Sequence, residues 1–306
     1  CAPAFSGPAE ESGEHQSISL TRAVIWSALW NEVRDGDRNP REFLDLVLRH
    51  SLAEDHPSLL STILKQLITT LDHYIPNNAV SQVQGEVAEK LLKLFEQANP
   101  GSDTQLQFLE TFLRVATTPR QLETLKQFVA GAKTPDGRVF EQDLRWKALT
   151  TLAAHDQVSE NDLRGEAEND QTASGQLSLA TASAALPGQT RKRDIWDQIL
   201  ADETSNSKMR ALTQGFHRSA QPQELHEFVA DYFGIINTVW ETRTSHEVAE
   251  TRIRGLFPIT QKSPEVLEAA ERVLSEHSAT APALSRMVAE MRDDLQRALN
   301  VQQAFN

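Results

Sequence analysis

The chain has 306 residues, of which 39% are hydrophobic and 24% charged, enough apolar content for a sizeable core and too much for gross disorder. Thirteen Gly and thirteen Pro are sparse punctuation, which disfavours an all-β fold with many tight turns. Lys plus Arg number 30 against 43 Asp plus Glu, and the net charge of −13 argues against nucleic acid or an anionic membrane surface as a partner. One cysteine, Cys1, can form no intrachain disulfide, which suits a reducing, cytoplasmic setting.

Residues 1–16 hold Pro3, Gly7, Pro8 and Gly13 among small and acidic residues and read as a flexible leader or linker. Residues 17–306 read as one all-α domain. Apolar residues recur there in steps of three and four, as in Leu59, Leu60, Ile63, Leu64, Leu67, Ile68, Leu71 and Ile75. A polar residue followed by Pro opens several such runs: Asn39-Pro40, Thr118-Pro119 and Ser263-Pro264. The predicted helices are 18–34, 40–53, 57–75, 79–98, 103–116, 119–131, 141–155, 159–169, 172–186, 189–202, 206–217, 222–236, 238–255, 264–276 and 280–303. Short breaks between them place neighbours antiparallel. The longest break, around Lys133 to Arg138, carries a turn signal, Pro135-Asp136-Gly137. The segment from Thr172 to Leu186 is rich in Ala and reads as a tightly packed inner helix.

Two helix pairs look alike. Pro119-x-x-Leu122 leads to Phe128-Val129-Ala130, and Pro222-x-x-Leu225 leads to Phe228-Val229-Ala230. Degenerate two-helix units of this kind stack into solenoids, each burying its stripe against its neighbours. The expected fold is a HEAT/armadillo-like right-handed α-solenoid of about fifteen antiparallel helices.

Chemistry is harder to find. His246-Glu247-Val248-Ala249-Glu250 approaches the zinc motif His-Glu-x-x-His, but Glu250 stands where the second imidazole belongs. It reads as a solvated face with no metal. The remaining histidines, His155 and His217 among them, read as surface or cap residues, and Arg191-Lys192-Arg193 as a solvated face. No nucleophile elbow, phosphate loop or dinucleotide fingerprint occurs, so no catalytic residue is assigned. Trp240, Arg243, Arg252 and Arg254 fall on one predicted helix and are the candidate substrate-binding residues of a concave surface, where guanidinium groups can receive carboxylates. Pairing with Glu241, Glu247 and Glu250 is the competing role for these arginines.

Taken in order, several segments resemble the C-terminal helical domain of zinc-dependent aminopeptidases N, especially the actinobacterial branch, and that of the endoplasmic-reticulum aminopeptidases. They are Leu20-Thr21-Arg22-Ala23-Val24-Ile25-Trp26-Ser27-Ala28-Leu29-Trp30-Asn31-Glu32-Val33-Arg34-Asp35-Gly36, Pro100-Gly101-Ser102-Asp103, Asp143-Leu144-Arg145-Trp146, Asp231-Tyr232-Phe233, Val239-Trp240-Glu241-Thr242-Arg243 and Arg254-Gly255-Leu256-Phe257-Pro258. The similarity runs from about Ser17 to about Leu299. It implies a noncatalytic domain whose parent enzyme binds zinc in upstream catalytic domains that this chain lacks. The family's His-Glu-x-x-His with a later Glu, and its Gly-x-Met-x-Asn, do not occur here. The resemblance further implies a superhelix that arches over the active-site entrance, encloses a cavity and restricts substrates to peptides. A free-standing α-solenoid that binds other proteins is the alternative.

Overall fold

The computed structural model describes residues 8–131, 134, 137, 140–218, 220–242, 245–277 and 280–305, with side chains from Leu20 onward except His277. Half of the long break after α6, including Lys133, Pro135, Asp136 and Arg138, therefore lies outside the described residues, as does Cys1. Among the described residues the chain is all-helical, with fifteen α-helices and no strand. They are α1 (Pro8–Asp35), α2 (Pro40–His50), α3 (Pro57–Thr69), α4 (Val80–Gln97), α5 (Asp103–Val115), α6 (Pro119–Val129), α7 (Gln142–Ala154), α8 (Glu160–Asn169), α9 (Ala173–Ala185), α10 (Gln189–Leu200), α11 (Asn206–Phe216), α12 (Glu227–Glu241), α13 (His246–Leu256), α14 (Pro264–His277) and α15 (Pro282–Ala304). The first turns of α1 fall within the stretch read as a leader.

Helix starts follow the capping chemistry expected of them. Asn39 Oδ1 accepts from the Arg41 N–H at 2.9 Å, and Thr118 and Gln121 form a reciprocal capping box ahead of Pro119. The stripe on α3 is buried through Leu60, Ile63, Leu64 and Leu67, and the helix ends in a wider π-turn, Thr70–Tyr74.

One boundary differs from expectation. The predicted spans 222–236 and 238–255 place a break at 237, with Trp240 on the helix that follows. Instead α12 runs unbroken to Glu241, because Phe228, Tyr232, Ile236 and Trp240 are buried at steps of four. The expected start at Pro222 is only a 3-10 turn, Pro222–Leu225.

Odd-numbered helices form a closed circuit. Each packs on the next from α1 through α3, α5, α7, α9, α11 and α13 to α15, and α15 returns to α1 and to the π-turn after α3. Even-numbered helices pack behind them, α6 and α8 on α7 and α9, α10 on α11, α12 on α13. The odd helices are therefore the inner, more crowded layer. The solenoid is thus a ring rather than an open arch. Ala298 and Val301 of α15 join the core built by α1 to α7, while the remainder of α15 belongs to the core of α9 to α14.

Small residues set how closely the inner layer packs. A Cβ on Gly215 of α11 would lie 2.0 Å from the Thr181 carbonyl oxygen of α9, and one on Gly255 would lie 2.7 Å from Thr213 Cγ2 of α11. With Ala182, Ala184 and Ala185 buried beside them, α9 is the tightly packed inner helix its composition predicts.

Candidate functional site

The hollow of the ring has two connected parts. Along α7, α9 and α11 runs a groove of about 450 Å³, faced by Lys147, Thr150, Ser174, Ser178, Thr181 and Gln214. A second hollow of about 350 Å³ lies where the carboxyl ends of several inner helices meet. Asp72, Arg114, His155, His217, Arg218 and Lys262 border it, and Arg218 borders both parts. The groove is hydroxyl-rich; the floor is cationic.

The floor has this character because helix carboxyl ends carry unpaired carbonyls and partial negative charge. Side chains from neighbouring helices fill that need. Arg218 Nη2 donates to the Arg114 carbonyl at 3.0 Å and to Thr151 Oγ1 at 2.8 Å, while Thr151 Oγ1 donates to the Leu113 carbonyl at 2.6 Å. Lys262 Nζ donates to the carbonyls of Asp72 and Ile75, and Gln302 Nε2 donates to those of His73 and Ile75. His217 Nε2 lies 2.8 Å from the Gly255 carbonyl, the tautomer with hydrogen on Nε2 fitting that contact. Arg114 pairs with Asp72 at 2.8 Å.

Burial shifts these groups. It pushes Lys262 down to about 8 and His217 down to about 4, and it lowers His73. His155 is lowered by burial first and by Arg218 second. At neutral pH Lys262 stays mostly charged and His217 neutral. His155 and His217 are the half-buried C-caps of α7 and α11, the cap positions their sequence context suggested, and desolvation there disfavours the charged form of both.

The same device recurs away from the floor and corrects another expectation. Lys192, read as part of a solvated basic run, is fully buried and donates to the carbonyls of Ala184 and Phe216, closing the ends of α9 and α11. Its pKa is pushed down to about 8 by burial. Arg193 pairs with Glu227 and Asp231 and lies over the Phe228 ring at 4.3 Å. Arg145 grips Glu166 with two bonds at 2.7 and 2.6 Å and caps the Val129 carbonyl at 2.7 Å.

The four candidate binding residues are not brought together as one row. Trp240 is buried at the end of α12, edge-on to the His246 ring at 5.3 Å. Arg252 turns to α10 and donates to the carbonyls of Ile199 and Ala201. Arg254 pairs with Glu250 and Glu290 and faces, with Arg210, a hollow of about 380 Å³ between α11 and α13. Arg243 lies outside the described residues. Thus Arg252 and Arg254 share α13, whereas Trp240 belongs to α12.

His246 and Glu250 are likewise engaged separately, with the ring and with Arg254. Among the described residues no group of three His, Cys, Asp or Glu is placed together as metal ligands would be. No helix described is long and apolar enough to cross a membrane.

Residues 10–297 match the family described as the ERAP1-like C-terminal domain. The chain belongs to that family. It is also 32% identical over 287 residues to Aminopeptidase N of Streptomyces lividans, an overlap covering 94% of this chain and 33% of the relative. The ERAP1-like C-terminal domain described here therefore spans about a third of that relative's length. Membership assigns no reaction to the hollow, whose polar groups are mostly spent on helix ends.

Proposed function

We propose that this chain is the noncatalytic C-terminal domain of a zinc-dependent aminopeptidase N, and that it covers the active-site cavity and restricts access to peptides. Family membership over residues 10–297 carries the reading, and the relative named Aminopeptidase N supports it. The shape suits the task. A ring with a polar, hydroxyl-lined groove can admit an extended chain and turn away a folded one. Zinc and the catalytic residues belong, on this reading, to upstream domains of the parent polypeptide, which are the chain's partner. Peptides are the substrates of the whole, and the cytoplasm is its place.

The test uses the whole polypeptide with and without this segment. Removal is expected to leave hydrolysis of a single amino-acid anilide within about threefold, an effect below roughly 1 kcal/mol. Discrimination between free peptides and the N-termini of folded proteins should be lost. Unchanged size selectivity and unchanged peptide KM would overturn the reading. So would chelator-sensitive release of amino acids by this chain alone.

A further inference from the structure

Helix α1 is apolar on two sides. Its inner face sends Trp26 and Val33 into the core, with Leu29 and Trp30 packed beside them, and Trp26 meets the Phe43 ring edge-on at 6.4 Å. Its outer face carries Leu20, Val24 and Ile25, which are 67%, 62% and 53% exposed. Among the described residues these are the large apolar side chains with more than half their surface in solvent. Ala28 continues the outer stripe one turn on, with Ser27 and Asn31 at its edge; all three are exposed.

The helix is not loosely attached. Arg22 on its other side pairs with Glu54 and Asp55, and the helix packs on α2, α3 and α15. A surface helix keeps one polar face toward water, whereas a helix apolar on both sides belongs between two bodies. One of those bodies is the ring.

We infer that the outer face of α1 is the seat of the peptidase part of the same polypeptide. This rests on the proposed function and adds to it the surface that docks. Two observations favour this occupant over a second copy or an unrelated protein. The matched relative is about three times as long as the overlap, so a polypeptide of that plan has two thirds of its mass with which to cover the stripe. The stripe also shares no residue with the hydroxyl-lined groove of α7, α9 and α11, so an occupant seated on it need not cover the groove's lining. The occupant is an uncharged apolar surface, since Leu20, Val24, Ile25 and Ala28 offer no charge to pair.

Accessibility of a single thiol tests this. Val24→Cys is placed in a Cys1→Ser background in this 306-residue chain and in the whole polypeptide of its reading frame, and alkylation of residue 24 by iodoacetamide is timed by peptide mass analysis, which separates it from any other thiol. Rapid labelling of the separate chain and at least tenfold slower labelling in the longer polypeptide is the expected result. Equal rates in both overturn the docking assignment alone. Slow labelling of the separate chain that speeds up on dilution overturns it in favour of a second copy. A reading frame without any peptidase domain overturns both this inference and the proposed function, whatever the labelling rates.

Discussion

The wall of the ring at α9 and α11 and the seam where α15 meets α1 are held by different means. At the wall two backbones touch: Gly215 leaves no room for a Cβ against Thr181, and alanines fill the rest. At the seam the contact is made largely by side-chain ends. Arg297 reaches Asp35 at 2.6 Å, Gln302 reaches His73 and Ile75, Lys262 reaches Asp72 and Ile75, and Ala298 and Val301 supply a small apolar patch. Close backbone packing tolerates almost no added volume, whereas a polar seam loses its bonds one by one. The ring is thus rigid on one side and separable on the other.

The largest expected effect tests the wall. Gly215→Val should destabilise by about 3 kcal/mol or more, because α9 or α11 must shift to admit the side chain. Gly165, in α8, is the contrast, since a Cβ added there would meet nothing within 4 Å. Gly165→Ala should stabilise by about 0.5–1 kcal/mol. Urea unfolding of both variants reads the difference, and equal effects would erase the distinction drawn for the wall.

The next effect follows from Lys192 in the wall and Lys262 near the seam, each pushed from 10.5 down to about 8. Below pH 8 both lysines are protonated whether the chain is folded or not. Between pH 8 and 10.5 the unfolded chain binds more protons, so stability rises with pH, by roughly 2–3 kcal/mol per lysine. Burial raises the Tyr232 hydroxyl, which acts in the opposite sense above pH 10 and ends the useful window there. Urea midpoints measured from about pH 7.5 to 10 should climb, and Lys262→Met should remove about half of the climb. A flat or falling profile in the unaltered chain would contradict the burial of both amines.

The smallest effect belongs to the seam. Gln302→Ala should cost about 1 kcal/mol, as one side chain's bonds to two carbonyls are lost. Hydrogen exchange should quicken in α15 and in the turn from Thr70 to Tyr74 while α9 and α11 are unchanged. Equal acceleration around the whole ring would mean that the seam is no weaker than the wall.

Much of this architecture was legible in the residues. Polar-Pro starts and three-four spacing located the helices, and the Ala-rich run marked α9 as inner. The predicted break at 237 was misplaced, because a buried stripe of Phe228, Tyr232, Ile236 and Trp240 carries α12 through it. The floor was not legible. Lys192, Arg218 and Lys262 acquire their roles from carbonyls presented by helices distant in sequence, and no spacing rule records that. Trp240, Arg252 and Arg254 showed the same limit, since a one-turn error in a helix end changes which neighbours a side chain meets.

Closure of the circuit alters how such a stack comes apart. An open row of helix pairs frays from its outermost members, which have a neighbour on one side only. Here α1 and α15 shield each other, so neither is outermost. Detaching any inner helix requires two rifts at once, and the circle is expected to melt as a unit unless its junction is cut first.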